Sequence, residues 1–346
     1  DNLLYFRNMI LLRKILFPLA FLYWLITYIR NWLYDLGILK SYSFDIHIIA
    51  VGNLSVGGTG KTPQIEYLIR LLSEKYKVAV LSRGYKRSTE GFILADDKAT
   101  ASSIGDEPFQ FYSKFPNIQV AVDANRKNGI EKLVQLQDKP DIILLDDAFQ
   151  HRKVKAGFYI LLTAYDDLFY DDYILPFGNL REPSSGKKRA DMIIVTKCPE
   201  DLSELAQQKI RDKLKVKQQV FFTTIQYDNF VFGNDSQLLV SEIQSESKVL
   251  VAGIAKPKLF FDFLKNEKDE TLVFPDHHDF SKHDCEQILA EANGRKIVTT
   301  EKDFVRLNGL LPKAQLFYLP IKSKFLNSKN IDKTIIDYVG QSTRNR

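Results

Sequence analysis

A glycine-rich loop between an apolar run and an amphipathic run most constrains what this chain can fold into. The sequence GNLSVGGTGKTP occupies Gly52 to Pro63, after the apolar run Ile46 to Val51 and before the amphipathic run Gln64 to Leu72. A strand, a tight loop and a helix in this order are typical of a phosphate-binding loop. In such a loop, backbone N–H groups and the N-terminus of the helix face the phosphates of a nucleotide. The feature therefore predicts an α/β fold that binds a nucleoside triphosphate.

Individual positions of the loop predict individual contacts. Lys61 is positioned to reach the terminal phosphates, and the hydroxyl of Thr62 to bind magnesium. The general pattern G-x-x-x-x-G-K-[ST] would have glycine where this chain has Ser55, and the neighbouring glycines supply the flexibility instead. A glycine-rich turn that binds no nucleotide is the alternative. The predicted nucleotide-binding residues are Gly57, Gly58, Thr59, Gly60, Lys61 and Thr62.

A second strong signal is the aliphatic run Ile142 to Leu145, which ends in Asp146 and Asp147. Four consecutive aliphatic residues are typical of a strand that is buried on both faces of a parallel sheet. Carboxylates at the C-terminal end of such a strand are typical of a Walker B element, which serves the magnesium ion of the nucleotide. We therefore predict Thr62, Asp146 and Asp147 as the metal-binding residues.

The alternation of buried-strand and helical patterns predicts an α/β fold with a doubly wound parallel sheet. A polar stretch at 227–246 is interpreted as a linker, because the alternating pattern restarts after it as a smaller second α/β domain. The predicted organisation is a membrane-associated helical region at residues 1–44, a P-loop nucleotide-binding domain at 45–226, and the linker with the C-terminal α/β domain at 227–346.

The N-terminal segment is apolar and aromatic. The run Ile15 to Ile29 carries no charge and lies between Arg13-Lys14 and Arg30. It is shorter than the about 20 residues that a membrane-spanning helix needs. Aromatic side chains beside cations are typical of a helix that lies in the membrane interface. We expect an interfacial helix, and a helix packed on the protein core is the alternative.

The overall charge and the cysteines exclude some classes of function. The chain has 346 residues and a formal net charge of +5, which suits phosphates or an anionic membrane surface and is too weak to indicate nucleic acid. Its two cysteines, Cys198 and Cys285, lie far apart and lack the spacing of a zinc site or a disulfide framework. The motif TKCP has Pro199 where GTP-binding proteins carry the aspartate that reads guanine, so guanine specificity is not supported.

Two further motifs place polar side chains where chemistry can occur. Asp106 and Glu107 precede a proline, and they are either acids at a helix N-terminus or functional carboxylates. His277 and His278 are flanked by aspartates. They could bind a metal, orient an acid–base partner, or be surface histidines without function. The turn-rich loop from Leu175 to Pro183 is a candidate substrate loop.

Taken together, the motifs resemble the tetraacyldisaccharide 4'-kinase family, the lipid A 4'-kinases of Gram-negative bacteria. The resemblance rests on GNLSVGGTGKTP, SRGY, GDEP, DDAFQH, LPFGNLREP, VTKCP, FPDHH and TEKD, in this order from Gly52 to Asp303. It implies transfer of the γ-phosphoryl group of ATP, with Mg²⁺, to the 4'-hydroxyl of an acylated glucosamine disaccharide 1-phosphate. It also implies a peripheral or monotopic enzyme on the cytoplasmic face of the inner membrane, with this lipid A precursor and the membrane surface as partners and no nucleic acid.

The resemblance further implies roles for single residues. Asp106 would be the base that takes the hydroxyl proton, and His277 would be hydrogen-bonded to it. Lys61 would bind the β- and γ-phosphates, and Arg126 would be the transition-state cation. The family pattern F-x-D-H favours His277 over His278. The second-rank substrate residues are Glu107, Arg181 and Glu182.

One expectation about mechanism and two rival functions remain open. We expect Asp106 on the P-loop domain and His277 on the smaller domain, so that catalysis requires domain closure. A kinase or ligase for a soluble metabolite is one rival function, and the aromatic N-terminal helix argues against it. A slow nucleotide switch that binds a membrane partner is the other rival, and it would need no general base.

Overall fold

The structure is a computed structural model, and it describes residues 16–327 and 330–341. The cations Arg13 and Lys14, which were predicted to flank the N-terminal helix, lie outside the described residues, as does Ile15.

The strands are β1 His47–Asn53, β2 Val78–Ser82, β3 Ile93–Leu94, β4 Gln119–Val122, β5 Ile142–Asp146, β6 Phe158–Ala164, β7 Met192–Thr196, β8 Gln219–Tyr227, β9 Phe230–Phe232, β10 Gln237–Leu239, β11 Lys248–Ala252, β12 Glu270–Val273, β13 Lys296–Thr300, β14 Leu316–Leu319 and β15 Ile321–Phe325. The helices are α1 Phe17–Asp35, α2 Lys61–Leu72, α3 Ala101–Ile104, α4 Asp106–Lys114, α5 Arg126–Val134, α6 Glu204–Leu214, α7 Val240–Ser245, α8 Lys258–Leu264, α9 Lys282–Ala292, α10 Glu301–Leu307 and α11 Ile331–Val339, with a 3₁₀ helix at Ser184–Arg189.

Internal contacts divide the chain into two compact units. The first unit comprises the chain up to Arg83, the segment Asp123–Thr224 and the chain from Lys324 onwards, and the second comprises Gly84–Val122 and Ile225–Ser323. The division at Thr224 lies close to the boundary predicted at residue 226. Two segments differ from the predicted organisation: residues 84–122 belong to the second unit, and the C-terminal segment belongs to the first.

The first unit contains the parallel sheet that the sequence predicts. Its strands pair in parallel in the order β2, β5, β1, β6, β7 and β8. The central strands β1 and β5 are buried on both faces, which explains their uninterrupted aliphatic sequences. Val51 is in register with Asp146, so the phosphate loop leaves the sheet beside the acidic end of β5.

The C-terminal helix α11 completes the core of the first unit. Its buried residues, Ile331, Ile335, Tyr338 and Val339, recur at helical spacing and form one apolar face. The hydroxyl of Tyr338 donates to the carbonyl of Ile48 at 3.1 Å and accepts from the N–H of Ile48 at 3.3 Å. The helix therefore caps backbone groups at the start of the central strand, a long-range contact that no local pattern predicts.

The second unit contains a mixed sheet in the order β10, β9, β14, β13, β11 and β12. Strands β12, β11, β13 and β14 are parallel, and β9 pairs antiparallel with both β14 and β10. The prediction of a linker at 227–246 is wrong, because most of this stretch forms β9, β10 and α7. Its polar centre is the turn of a hairpin, closed by a 2.7 Å hydrogen bond from Gly233 N–H to Ser236 carbonyl, and Val231 beside it is fully buried.

Residues 84–122 belong to the second unit because α4 packs against α10. Lys114, in the last turn of α4, forms a 2.6 Å ion pair with Glu301, the first residue of α10. Asp106, at the start of α4, is bound by Arg306 near the end of α10. The expectation that Asp106 and His277 lie on different domains is therefore wrong: both belong to the second unit.

Helix α1 presents an apolar face to solvent. Pro18, in its first turn, fits the helix start because proline lacks the N–H that would have no partner there. The side chains of Phe17, Phe21 and Ile26 are each more than half exposed, whereas Ala20 is buried. Within the described residues, no helix combines the length and apolar character needed to cross a membrane.

We expect Tyr338→Phe to reduce the free energy of unfolding by about 1–2 kcal/mol, because the buried N–H of Ile48 loses its hydroxyl acceptor. Urea denaturation of the wild type and the variant measures this difference. Tyr173→Phe is the control, because the side chain of Tyr173 is exposed and its hydroxyl can be solvated. Equal stability of Tyr338→Phe and the wild type would contradict the assigned role.

Candidate functional site

The phosphate loop has the backbone conformation of a nucleotide-binding loop. Gly57 and Gly60 adopt φ values of +101° and +81°, which glycine adopts without steric cost. Helix α2 begins at Lys61, directly after the loop, so its N-terminal N–H groups face the loop's concave side. At Gly52 a Cβ atom would lie 2.7 Å from the Cβ of Phe149, so only glycine lets β1 pass this residue. At these three positions the backbone conformation or the close neighbour explains why the motif has glycine.

The end of β7 fixes the loop from the other side. The hydroxyl of Thr196 donates to the carbonyl of Thr59 at 2.8 Å, and Lys197 Nζ donates to the carbonyl of Gly58 at 2.6 Å. From the sequence, the TKCP motif argued against guanine specificity and contributed to the family resemblance, but its contact with the loop was not predicted. The position of TKCP directly after a predicted parallel strand was the available signal, because parallel strands end at the same edge of a sheet.

Lys61, Asp147 and Arg181 form one ionic cluster beside the loop. Lys61 Nζ lies 3.5 Å from Asp147 Oδ1, and Arg181 donates to both carboxylate oxygens of Asp147, at 2.9 and 3.1 Å. The side-chain oxygen of Asn53 accepts from Lys61 at 3.4 Å and also from Arg181. Asn53 is fully buried. The sequence analysis did not select it.

Charge pairing controls the ionisation of Asp147. Burial by itself would raise the pKa of this carboxyl group, but Lys61 and Arg181 outweigh burial and lower its pKa to about 2. Asp147 is therefore ionised at neutral pH. The negative charge holds both cations at the loop, where the phosphates of a nucleotide would need them.

Asp146 and Arg126 meet at the end of β5. The carboxylate of Asp146 accepts from the hydroxyl of Ser82 at 3.0 Å, and Arg126 donates to the backbone carbonyl of Asp146 at 2.7 Å and to that of Asp123 at 2.8 Å. Arg126 is 2% exposed, and burial lowers its pKa to about 10 despite the neighbouring carboxylates. Arg126, which the family resemblance predicts as the transition-state cation, braces the end of β5 through these two carbonyls.

The predicted metal-binding residues supply oxygen donors of the kind that magnesium prefers. Thr62 occupies the first turn of α2, Asp146 ends the neighbouring strand β5 in register with Val51, and Asp147 follows it directly. Carboxylate and hydroxyl oxygens suit a hard divalent cation. Throughout residues 16–327 and 330–341, no group of three or more His, Cys, Asp and Glu side chains is arranged to hold a metal.

His151 is surrounded by positively charged side chains. Burial lowers the pKa of His151, and the positive charges of Arg126, Arg30, Lys153 and Arg83 lower it further, to about 4. His151 is therefore neutral at neutral pH. Its surroundings carry an excess of positive charge that suits an anionic group.

Glu182, a predicted substrate residue, is buried and paired within the first unit. It is 3% exposed, and its carboxylate accepts hydrogen bonds from Arg189, Asn31 and Gln150 at 2.7, 2.8 and 3.0 Å. These donors cover both carboxylate oxygens. All three of these partners of Glu182 belong to the first unit.

The second unit contains a separate acid–histidine cluster. Asp106 lies in the first turn of α4 and accepts two hydrogen bonds from the guanidinium group of Arg306, the one from Nε at 2.8 Å. His277 Nδ1 lies 3.5 Å from the same carboxylate oxygen, Asp106 Oδ2. His277 adopts φ = +57°, which is uncommon for a residue with a side chain and indicates that the surrounding contacts hold it in place.

Lys302 occupies the other side of the His277 ring. Its Nζ lies 2.8 Å from His277 Nε2 and 3.7 Å from carboxylate oxygens of Glu107 and Asp276. An ammonium group donates, so Nε2 accepts from Lys302. On the other side of the ring, Nδ1 lies 3.1 Å from Arg306 Nη2 and 3.5 Å from Asp106 Oδ2. His278 instead pairs with Asp284 at 3.0 Å. The geometry therefore separates the two histidines and associates His277 with Asp106.

Opposing effects set the pKa of Asp106. Burial would raise it, but the hydrogen bonds from His277 and Arg306 and the charge of Arg306 lower it to about 2. Arg306 is itself 7% exposed in its side chain and lies 3.4 Å from the fully buried Asp303. Arg306 and Lys302 were not predicted from the sequence as site residues. Their signal was the i, i+4 spacing that places 302 and 306 on one face of α10.

The predicted site residues thus fall into two groups. Lys61, Thr62, Asp146, Asp147, Arg126, Arg181 and Glu182 lie in the first unit with the loop residues Gly57, Gly58, Thr59 and Gly60. Asp106, Glu107 and His277 lie in the second unit. Each group is held together by ion pairs and hydrogen bonds of its own.

Comparison with known proteins identifies the family. The chain matches the family model described as tetraacyldisaccharide-1-P 4'-kinase over residues 12–340. Proteins named tetraacyldisaccharide 4'-kinase are 64% identical in Flavobacterium johnsoniae, covering 96% of this chain and 98% of that protein, and 46% identical in Bacteroides fragilis, covering 98% and 96%. The crystal structure described as the "apo" form of LpxK from Aquifex aeolicus in complex with ATP superposes with a TM-score of 0.76 at 30% identity, covering 95% of this chain and 99% of that one.

We expect the Asp106 carboxylate to stabilise the fold at neutral pH and to lose this contribution in acid. Its folded pKa of about 2 lies below the ordinary value of 3.8, so the contribution is complete above about pH 5 and disappears as the pH falls through 3.8 towards 2. The measurement is the free energy of unfolding of wild type and Asp106→Asn between pH 6 and pH 2.5. A stability difference that does not shrink in acid would contradict the pairing.

Proposed function

The chain belongs to the tetraacyldisaccharide-1-P 4'-kinase family and is a kinase, and on that basis we propose that it transfers the γ-phosphoryl group of ATP to the 4'-hydroxyl of an acylated glucosamine disaccharide 1-phosphate, a lipid A precursor. The observation that carries the proposal is the family match across residues 12–340. The related Aquifex aeolicus protein was crystallised in complex with ATP, which supports ATP as the phosphoryl donor.

The first unit supplies the residues proposed to bind the nucleotide. The N–H groups of Gly57 to Gly60 and the start of α2 would surround the phosphates, and Lys61 would pair with the β- and γ-phosphates. The ion pair of Lys61 with Asp147 keeps the ammonium group at the loop before the nucleotide arrives. This preorganisation reduces the entropy lost when the phosphates bind.

Thr62, Asp146 and Asp147 are the residues proposed to hold magnesium. Their oxygen donors fit this cation, and it would supply charge neutralisation on the phosphates and orientation of the γ-phosphoryl group. Arg126 supports this end of the site through the carbonyl of Asp146, and we propose that its buried positive charge also stabilises the transferring phosphoryl group.

Asp106 is the proposed base. Its low pKa keeps it ionised, so it can accept the proton of the attacking hydroxyl without prior deprotonation. The guanidinium group of Arg306 holds the carboxylate in one orientation, and His277 Nδ1 lies 3.5 Å from the same carboxylate oxygen. Lys302 holds the ring of His277 from the other side. Because the transition state of phosphoryl transfer is loose, orientation of the hydroxyl contributes more than the strength of the base.

The cations around His151 suit the 1-phosphate of the acceptor. Arg30, Arg83, Arg126 and Lys153 all raise the local positive potential. Arg30 lies on α1, which exposes its apolar side chains to solvent. A substrate with acyl chains and a phosphate needs apolar and cationic surfaces, and we propose that α1 supplies part of both.

We further propose that α1 attaches the protein to the membrane surface, on the cytoplasmic face of the inner membrane. Exposed Phe, Leu, Ile and Trp side chains along the helix favour the interface between lipid headgroups and acyl chains. Within the described residues, no helix is both long and apolar enough to cross a membrane, and the attachment that we propose is peripheral. The soluble-metabolite kinase is the alternative that this proposal excludes.

The direct test uses γ-labelled ATP, magnesium and the acylated disaccharide 1-phosphate, with labelled lipid as the readout. We expect Asp106→Asn to lower kcat by about 10²–10⁴-fold, because the neutral amide cannot accept the proton. The dissociation constant of ATP, measured by calorimetry, should stay within about twofold of wild type. Asp284→Asn is the matched control, because Asp284 also pairs with a histidine but lies outside the proposed site.

The outcomes distinguish the rival functions. Absence of labelled lipid with the wild type would overturn the proposed reaction. Unchanged turnover by Asp106→Asn would remove Asp106 from the mechanism, whereas ATP binding by the wild type without any labelled lipid would favour the nucleotide switch.

The membrane proposal predicts that Phe21→Glu/Ile26→Glu lowers the fraction bound to vesicles of phosphatidylethanolamine and phosphatidylglycerol by about tenfold, because two apolar side chains no longer bury their surface in lipid. Cosedimentation measures binding. Leu205→Glu is the matched control, since this leucine is 68% exposed on α6. If the double variant and the control bind equally, α1 is not the attachment site.

A further inference from the structure

We propose that Asn31 of α1 is a positioning residue for the phosphate loop. It acts through Glu182 and Gln150 on the backbone of Asn53, and we call these four residues the Asn31 relay. The inference rests on the proposed function, because it concerns the loop that binds ATP. It adds that affinity for the nucleotide depends on a side chain of the N-terminal helix.

The centre of the relay is the buried carboxylate of Glu182. Asn31 Nδ2 donates to Oε2 at 2.8 Å, while Arg189 and Gln150 donate to Oε1 at 2.7 and 3.0 Å. A buried carboxylate is costly unless its oxygens are paired, so each donor restricts where the others can lie. A Cβ at Gly186 would lie 2.9 Å from Oε2, so this oxygen has little space to move to another partner.

Gln150 links this carboxylate to the loop. Its amide nitrogen has two N–H groups, and it donates to Glu182 Oε1 at 3.0 Å and to the backbone carbonyl of Asn53 at 2.7 Å. Both donors are therefore committed. A shift of Glu182 moves the Gln150 amide and changes its bond to Asn53.

Asn53 transmits the position to the catalytic lysine. Its side-chain oxygen accepts from Lys61 Nζ at 3.4 Å, and its side-chain nitrogen donates to the carbonyl of Ser55 at 2.6 Å. The residue is fully buried, so its side chain and backbone move together. The relay thus runs over hydrogen bonds of 2.7–3.0 Å from a partly exposed helix to Asn53, and over a longer contact of 3.4 Å to the group proposed to bind the γ-phosphate.

Two other contacts join the same helix to the same region. The hydroxyl of Tyr23 donates to the carbonyl of Arg181 at 2.9 Å, and Arg30 Nη2 donates to the carbonyl of Gln150 at 3.1 Å. Thr27 lies between them in sequence, and its hydroxyl donates to carbonyls of the helix itself, Tyr23 and Trp24. The helix therefore offers both a residue of the relay and a matched polar control.

The test measures the affinity of the full chain, in detergent micelles, for the non-hydrolysable analogue AMP-PNP with MgCl₂ by calorimetry. We expect Asn31→Ala to weaken binding by about 3- to 20-fold, and Gln150→Ala by at least as much. Alanine is a good helix former, so Asn31→Ala should preserve α1. The double variant should bind no more weakly than Gln150→Ala, because either change interrupts the same relay. Thr27→Ala should bind within about twofold of wild type.

A steady-state assay separates positioning from contact with lipid. Asn31→Ala should raise the KM for ATP and leave the KM for the lipid acceptor equal to that of Thr27→Ala. Three results would overturn the inference: binding of AMP-PNP equal to wild type, effects of Asn31→Ala and Gln150→Ala that multiply, or a change confined to the lipid KM. Failure of the wild type to bind AMP-PNP would instead overturn the proposed function and, with it, the relay.

Discussion

The parallel pairing of β1 with β5 is the constraint on which the first unit depends. With Val51 opposite Asp146, the phosphate loop and the two acids leave the sheet at one edge. Asp147 pairs with Lys61 from α2 and with Arg181 from a segment distant in sequence. The pKa of Asp147 falls to about 2 because these two cations outweigh its burial. One backbone register thus concentrates oppositely charged groups that sequence separation would keep apart. The cost of burying each charge is offset by the others, so the cluster is preorganised for phosphates.

The second unit also surrounds its carboxylates with cations, and it does so with two helices, α4 and α10. Asp106 and Glu107 begin α4, where the helix dipole favours acids, and α10 brings Arg306 and Lys302 to meet them. His277 lies between the two cations in a left-handed conformation. Each unit therefore holds a carboxylate with a depressed pKa that is ionised across the physiological range. In both cases the partner cation comes from far along the chain, so the sequence neighbourhood of the carboxylate does not reveal its chemistry.

The strands of the parallel sheet and the phosphate loop were predictable because their signals are local. Apolar runs, clustered glycines and acids that follow an apolar run can each be recognised within a few residues of sequence. The interpretation of 227–246 as a linker failed because its buried residues are few, and Val231 is buried by strands distant in sequence. The placement of residues 84–122 with the first domain failed for a related reason: the helix packing that assigns α4 to the second unit involves α10, nearly two hundred residues later. Sequence proximity to the phosphate loop was a poor guide to that packing.

The sequence by itself determined the α/β class, because apolar runs, glycines and acids are local signals, and the order of its motifs determined the family. The roles proposed for Asp106, His277 and Arg126 came from the resemblance to that family. The tertiary structure decided which residues share a cluster. It separated His277 from His278 by their partners, Asp106 and Asp284. It placed the buried Glu182 carboxylate against Gln150, and it revealed the contacts of Asn53, Arg306, Lys302 and Lys197. The physical reason is that a hydrogen bond or an ion pair depends on distances of about 3 Å between side chains, and such distances are set by packing of the whole unit.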